Sequence, residues 1–312
     1  MHLRLSSIVK STVLAATAIG LGIGAGFGIK NILGREIITD YSSLQVTGMD
    51  TKPLLGRYNE LVEGKTDDLA SHFTYAELIN LSFALFYQSD NYFVVSSGKA
   101  YANALILVEQ NIRSSFIKNT SDYFEESLTA STFVQDASRA YLDNGSITRY
   151  LGKPNGELDG GDYKESEHMS VPDYLSMMGR NVNSVTNYIF NEQTVLKTTD
   201  NSGLGTSSLT RNNDNTYTLE LELDPILSVV NYVKQMKTTG GLSSYPSFDF
   251  VHLTVTLDDM LNIVSITNSE NYRANMEAIS AALSSSITSY YFTDNNVKIP
   301  TIDQCVPYEE YL

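Results

Sequence analysis

The sequence predicts an α+β protein in which a strongly curved antiparallel sheet, a half-barrel, wraps several helices and follows an N-terminal membrane helix. Three features of the 312-residue chain predict this class: strands with one apolar and one polar side, helices with apolar stripes between those strands, and an uncharged apolar segment near the start. A sheet with one apolar face must bury that face against other elements. Helices from the same chain are the economical cover.

The clearest pattern of strand, helix and strand lies in the second half of the chain. In TYTLELEL (216–223) tyrosine and leucine alternate with threonine and glutamate, and FVHLTVTL (250–257) repeats this alternation. Between the two strands, Asp224 predicts a helix start and the pair Gly240-Gly241 predicts its end. Two more strands are predicted at 261–268 and 284–292.

The first half of the chain predicts a helix followed by an antiparallel meander. The helix should begin near Thr66, and its apolar residues cover most of its circumference, so it needs burial on several sides. Residues 91–150 predict the meander, with a hairpin signal at residues 143–145 (Asp-Asn-Gly). The apolar run 101–117 is long for one strand and should bend or break near residues 109–111.

Four further segments complete the domain. Residues 152–170 are rich in glycine and charge and predict an exposed loop. Residues 171–190, with Pro172 near their start, predict a helix, and residues 198–215 predict another loop. The last residues, 295–312, should lie irregularly on the surface.

The N-terminal segment predicts membrane attachment. Residues 11–29 carry no charge and are long enough to span a bilayer or to serve as a secretory signal. A retained anchor is favoured because no distinctive cleavage site follows, and the chain is then expected at the cell membrane with a single span and its domain outside the cytoplasm. The alternative is secretion after signal cleavage. The predicted parts are an anchor or signal (1–30), a juxtamembrane connector (31–65) and an extracytoplasmic domain (66–312).

Glycines recur at every fourth residue of the apolar segment. Gly20, Gly24 and Gly28 form one series, and Gly22 and Gly26 form another. This spacing lets two helix backbones approach closely, so a dimer through the anchor is a hypothesis; glycine tolerated in a signal is the alternative.

Composition excludes several classes of partner and site. A net charge of −15 and a pI near 4.6 argue against nucleic acid, whose phosphates would be repelled. Cys305 is the only cysteine, so no intrachain disulfide and no zinc site with several thiolates can form. We expect Cys305 to be buried as a small apolar side chain.

The sequence offers no catalytic or cofactor motif. Its four histidines lack metal-binding spacing, and His252 is expected to be solvated on the polar side of its strand. The acidic and amide residues at 212–215 and 258–259 are explained by turn chemistry, with a calcium site as the less favoured alternative. The nucleophile-elbow and phosphate-loop patterns are missing. The prediction is therefore a protein that is not an enzyme and has no cofactor.

The order of the elements resembles that of a known superfamily of lipid-handling proteins. Over residues 66–293 the chain resembles the half-barrel of the bacterial lipoprotein carrier LolA and of the mycobacterial lipid-binding lipoproteins LppX and LprG. That resemblance implies a hydrophobic ligand between sheet and helices. No ligand-binding residue can be carried over. The lipidated cysteine of the mycobacterial members is missing, so attachment would depend on the uncleaved helix. The stretches that carry the resemblance are YANALILVEQNIRSSFI (101–117), DYFEESLTAS (122–131), YTLELELDPILSVVNYVKQM (217–236) and FVHLTVTLDDMLNIVSI (250–266).

The resulting functional hypothesis is binding, without catalysis, of a lipid or other hydrophobic ligand between sheet and helices. The alternative is an envelope scaffold with a closed core that binds a partner protein through its polar face or through the 152–170 loop. Each candidate lining residue can also be explained as ordinary core. The candidates are Leu219, Leu221, Val230, Val233, Met236, Leu253 and Val255.

Overall fold

An antiparallel sheet dominates the computed structural model of the chain. In the part of the chain that is described, the sheet has eleven strands, and every neighbouring pair is antiparallel. The described residues are 41–42, 44, 49–103, 107–120, 122–132, 134–143, 145–177, 207–239, 242–276, 279–293 and 298–311. The strands are β1 (Asn91–Asn103), β2 (Leu107–Asn119), β3 (Asp122–Ser131), β4 (Gln135–Asp143), β5 (Ser146–Pro154), β6 (Gly161–Ser170), β7 (Ser208–Arg211), β8 (Tyr217–Leu223), β9 (Ser247–Leu257), β10 (Ile263–Met276) and β11 (Ile279–Phe292).

Two meanders, β1 to β6 and β7 to β11, join into this single sheet. Their junction is the pairing of β1 with β11, so the spatial order runs from β6 down to β1 and then from β11 down to β7. Strands β6 and β7 lie at opposite edges, so the sheet is open. The predicted α+β architecture with an antiparallel sheet is confirmed.

Four α-helices accompany the sheet among the described residues. They are α1 (Lys52–Glu63), α2 (Tyr75–Tyr87), α3 (Val171–Met177) and α4 (Val230–Thr239). None of the helices in this part of the chain is both long and apolar enough to cross a bilayer. The predicted anchor at 11–29, its glycine series and residues 178–190 of the predicted 171–190 helix lie outside the described residues.

Helix α2 begins later than the sequence predicts, and the reason is a capping box. The Thr74 hydroxyl accepts a hydrogen bond from the Glu77 N–H (3.3 Å), and the Glu77 carboxylate accepts one from the Thr74 N–H (2.8 Å). The predicted start near Thr66 is therefore wrong. Residues 52–63, placed by sequence in the connector, form α1, whose Tyr58 hydroxyl donates to the carbonyl oxygen of Met260 at 2.9 Å.

The helices cover one side of the sheet, which we call the helix-covered face. Phe86 of α2 packs on Tyr92 of β1 and on Tyr291 of β11, with ring centroids 4.8 and 5.2 Å apart. Tyr92 in turn stacks on Phe116 of β2 at 5.5 Å. This face carries the main hydrophobic core.

The C-terminal segment 298–311 covers part of the opposite side, which we call the tail-covered face. Tyr311 packs on Phe93 of β1 and Phe292 of β11, at centroid distances of 4.8 and 5.1 Å. Val306 is buried in the same second core. The segment is irregular, as predicted, but it closes a core of its own.

A buried ion pair lies beneath the tail. Glu126 of β3 accepts hydrogen bonds from Arg139 Nε (2.5 Å) and from the hydroxyls of Tyr163 (2.7 Å) and Tyr308 (2.8 Å). Arg139 Nη1 also donates to the carbonyl oxygens of residues 301–302, each at 3.0 Å. The carboxylate and guanidinium are therefore paired and hydrogen-bonded, the condition under which charges are tolerated inside proteins.

The protonation of this cluster follows from its burial and charges. Burial alone would lower the pKa of Arg139, but the carboxylate of Glu126 outweighs it and raises the pKa. Burial, followed by the same carboxylate, raises the pKa values of Tyr163 and Tyr308. Both hydroxyls thus keep their protons and remain donors.

In the second half of the chain the predicted strands are confirmed. Buried and half-buried residues alternate along β8, and β9 to β11 cover the other predicted strands. Asp224 Oδ1 accepts hydrogen bonds from the N–H groups of Ile226 (2.9 Å) and Leu227 (2.8 Å). A 3-10 turn, Leu227–Val229, comes first, and α4 follows it.

In the first half the predicted hairpin is confirmed and two predictions are wrong. Gly145, with φ of +80°, lies between β4 and β5. The run 101–117 does break, but between Asn103 at the end of β1 and Leu107 at the start of β2; residues 109–111 pair with residues 99–101 inside β2, so the predicted position is wrong. Residues 152–170 are not a loop: β5 extends to Pro154 and β6 follows. Polar β6 was missed because an edge strand has solvent on one side and tolerates charge. Strand β7 likewise occupies part of the predicted loop 198–215.

Candidate functional site

One row of residues crosses the middle of the helix-covered face. Gly98 of β1 lies opposite Ile112 of β2 and Ile287 of β11; Thr129 of β3 lies opposite Ile112, and Asn268 of β10 lies opposite Ile287. Directly opposed residues on neighbouring strands share one face of a sheet. Gly98 is an even number of residues from Tyr92, so the face is the one that the helices cover. We call these five residues the central row.

The floor of the central row is apolar. Ala100, Ile112 and Ile287 form a buried cluster, exposed by 7%, 4% and 4%, which is separate from the main core. No side chain of the described helices belongs to this cluster. The cluster is therefore buried without a contribution from the side chains of α1 to α4 that belong to the main core.

The centre of the row carries no side chain. A Cβ atom at Gly98 would lie 1.8 Å from the carbonyl oxygen of Ser286 and 2.5 Å from the Cα of Ile287. Any larger residue would force β1 and β11 apart, so the close approach of these strands requires glycine.

Small and polar side chains flank the row on both sides. On one side, hydroxyls follow one another across β3, β2, β1 and β11, and those of Ser96 and Ser289 are 2.7 Å apart. On the other side Ser285 lies between Ala100 and Glu270. These small side chains take up less volume above the sheet than the aromatic rings near Tyr92.

Two buried polar atoms of the row have no hydrogen-bond partner among the described residues. They are Oδ1 of Asn268 and Oγ1 of Thr129, whose residues are only 2% and 1% exposed. A buried polar atom without a partner destabilises a protein by roughly 1–3 kcal/mol and is rare in native structures. Both atoms lie on the same face as the apolar floor, so the row is the candidate site considered below.

A second buried carboxyl group on this face is already satisfied. Glu125 of β3 accepts hydrogen bonds from the hydroxyls of Tyr123 and of Tyr174, the latter at 2.9 Å. Tyr174 belongs to α3, so the contact fixes that short helix against the sheet. Its role is structural.

The seven lining residues predicted from sequence come together in the main core. They belong to β8, β9 and α4, and each is at most 1% exposed. Leu253 lies opposite Asn268, and Leu221 lies opposite Leu253, so these two extend the central row into β9 and β8. Contact of any of the seven with a ligand stays a prediction. Sequence reasoning missed Gly98, Thr129 and Asn268, because only the register of distant strands aligns them.

Other polar candidates have local explanations. His252 Nε2 lies 2.6 Å from Glu220 Oε2, so the histidine is paired on the polar side of the sheet as well as partly solvated. Asp214 accepts hydrogen bonds from the N–H and hydroxyl of Thr216, which lower the pKa of that carboxyl. The described residues contain no group of three or more metal-ligating side chains.

Cys305 is exposed, so the prediction that it is buried is wrong. Its neighbour Val306 occupies the buried position on the tail instead. Burial and the adjacent Asp159 raise the pKa of the Cys305 thiol. This environment disfavours the thiolate.

Comparison with known proteins finds similarity only in structure. No protein-family model and no curated protein match the sequence. A LolA superfamily protein from Nitrosomonas europaea is 10% identical, covers 73% of this chain and 96% of its own, and has a TM-score of 0.22. A domain described as an outer membrane lipoprotein-sorting protein from Vibrio parahaemolyticus is 11% identical, with coverages of 66% and 87% and a TM-score of 0.22.

A third structure, a beta-barrel-like protein of unknown function from Brucella abortus, is 7% identical, with coverages of 65% and 98% and a TM-score of 0.18. TM-scores this low do not assign the chain to a superfamily. Similarity this low carries no information about the ligand.

Proposed function

We propose that the chain binds a lipid or other hydrophobic ligand on the helix-covered face, between sheet and helices, without transforming it. The observation that carries this proposal is the buried cluster of Ala100, Ile112 and Ile287, which lies apart from the main core. An apolar ligand gains roughly 25 cal/mol for each Å² of apolar surface that it removes from water. Ala100, Ile112 and Ile287 would supply the apolar contacts for such a ligand.

The residues around the cluster also support binding of a hydrophobic ligand. Ligand sites are typically apolar with a small number of placed polar groups. The central row combines two isoleucines and a glycine with one amide and one hydroxyl. The LolA superfamily and lipoprotein-sorting names of the structural neighbours agree with a hydrophobic ligand, although the cluster is the basis of the proposal.

A pair of serine substitutions tests this function on the full chain. Ser285 faces the site opposite Ala100, whereas Ser286 projects to the other side of the same strand. We expect Ser285→Phe to weaken binding of the apolar fluorescent probe N-phenyl-1-naphthylamine by on the order of tenfold, because the ring occupies the site. Ser286→Phe is the matched control and should keep the wild-type affinity.

Circular dichroism shows whether Ser285→Phe folds, and Ala100→Leu fills the same space with less bulk. Loss of probe binding in these variants alone, together with a lipid recovered by organic extraction of the wild type, supports the proposal. Wild-type protein that binds neither probe nor lipid refutes it and favours the scaffold alternative.

We also propose that residues 11–29 anchor the chain in the cell membrane, with the domain outside the cytoplasm. The basis is their length and lack of charge. Alkaline extraction of membranes from expressing cells should leave the full chain in the pellet. Quantitative release, or a mature protein lacking these residues, would contradict a retained anchor and favour secretion.

A further inference from the structure

We propose that the ligand is a neutral amphiphile whose hydroxyl or amide N–H donates a hydrogen bond to Oδ1 of Asn268. Its apolar chain lies over Ile287, Gly98 and Ile112 along the central row. This inference rests on the proposed function and specifies the class of ligand that the site accepts.

The side-chain amide oxygen of Asn268 determines which kind of partner can bind it. A side-chain amide oxygen can only accept hydrogen bonds, so its partner must be a donor. The cross-strand neighbours of Asn268 are Ile287 and Leu253, neither of which has a polar side-chain atom. Along its own strand, the preceding residue on the same face is Ile266, which is also apolar. No described residue donates to Asn268 Oδ1, so we assign its donor to the ligand.

The ligand group that donates to Asn268 should carry no charge. Asn268 is almost completely buried, and an ionised group transferred to such a place loses much of its solvation. A fatty acid in its carboxylate form is therefore disfavoured, whereas an alcohol, a glyceride hydroxyl or an amide suits the site.

The central row crosses five strands, from β3 to β10. Thr129 and Asn268 lie on β3 and β10, four strand spacings apart, which is about 19 Å along the sheet at roughly 4.8 Å for each spacing. The apolar floor fills the interval between them. The Thr129 hydroxyl can donate or accept, so it marks the far end of the row for a long chain or a second polar group.

The test compares three probes that share a twelve-carbon alkyl chain. Dodecan-1-ol offers a donor, dodecyl methyl ether only an acceptor, and dodecanoate a negative charge. On the full-length wild type we expect the alcohol to displace the fluorescent probe at about fivefold lower concentration than the ether, because one net hydrogen bond is gained. Dodecanoate should bind more weakly than the alcohol.

Two variants with the same substitution assign the preference to Asn268. Asn268→Leu should bring the ratio of ether to alcohol affinity close to one while ether binding persists. Asn271→Leu, three residues along the strand on the opposite face, should leave the ratio unchanged.

Each outcome separates this inference from the proposed function. Equal binding of alcohol and ether to the wild type overturns the inference while binding itself still supports an apolar ligand site, and this comparison decides even if Asn268→Leu does not fold. A preference that survives in Asn268→Leu, or tighter binding of dodecanoate, also overturns it. Failure of all three probes to bind refutes the proposed function.

Discussion

The ion pair of Glu126 and Arg139 on one face and the central row on the other bury polar groups in different ways. Under the tail, Glu126 accepts three hydrogen bonds from side chains, and Arg139 reaches the tail backbone as well. On the helix-covered face, Asn268 and Thr129 each bury an atom that no described residue pairs. In the first arrangement both charges are paired and hydrogen-bonded, whereas in the second two polar atoms lack a partner among the described residues. The proposed function assigns this difference to a ligand that binds at the central row.

The largest expected effect comes from breaking the ion pair beneath the tail. Arg139→Met removes one partner and leaves the Glu126 carboxylate buried without its cation, which destabilises proteins by about 3–5 kcal/mol. For a domain of this size the loss corresponds to a fall in Tm of roughly 6–20 °C, measurable by calorimetry. Lys164→Met is the control, since its ion pair with Asp162 is exposed on the surface and should not matter. A loss below about 1 kcal/mol on Arg139→Met would contradict a closed charge cluster.

A substitution in the central row should stabilise the ligand-free protein, in contrast to Arg139→Met. In ligand-free protein, Asn268→Leu removes a buried oxygen that lacks a partner and should raise the free energy of unfolding by about 1–3 kcal/mol in urea titrations. Asn271→Leu, on the other side of β10, should change it little. Destabilisation by Asn268→Leu would mean that the amide is bonded in the free protein, and the contrast between the faces would disappear.

The smallest expected effect on stability comes from α2, which packs on the helix-covered face. Thr74→Ala should cost about 1 kcal/mol of stability, because it removes the cap of α2. Burial opposes ionisation of Glu77, but the hydrogen bonds from Thr74 and the ion pair with Arg57 outweigh burial and lower its pKa below the usual 4.5.

The pH dependence of this cap follows from that shift. Glu77 contributes stability that is fully present above about pH 4.5 and is lost as the pH falls through its lower folded-state pKa. Urea titrations of wild type and Glu77→Gln should therefore differ at pH 6 and converge as the pH falls below 4. A constant difference across this range would place the stabilising effect outside the carboxylate.

Local patterns explain what could be predicted from the sequence. Apolar and polar residues alternate along β8 and β9 because one face of each strand is buried and the other contacts solvent. This period of two can be recognised in the sequence alone. The capping box at Thr74 was equally readable, and it would have placed the start of α2 correctly.

The central row could not be predicted from local sequence patterns. Its alignment depends on the pairing of β1 with β11, as shown by Ser96 and Ser289, whose hydroxyls meet although the residues are 193 positions apart. Strand β6 and the buried tail were missed for a related reason. Their polar or irregular sequences acquire a place only through partners distant in the chain.

The location of the tail has a consequence for biosynthesis. Tyr308, which donates to Glu126, follows it by 182 residues in the chain, and β1 finds its partner β11 only after the intervening strands have been made. A ribosome adding about 5–20 residues each second therefore leaves the apolar surface around Phe93 and Phe124 uncovered for many seconds before residues 298–311 can cover it. A nascent chain arrested before residue 298 would expose that surface and be prone to aggregate.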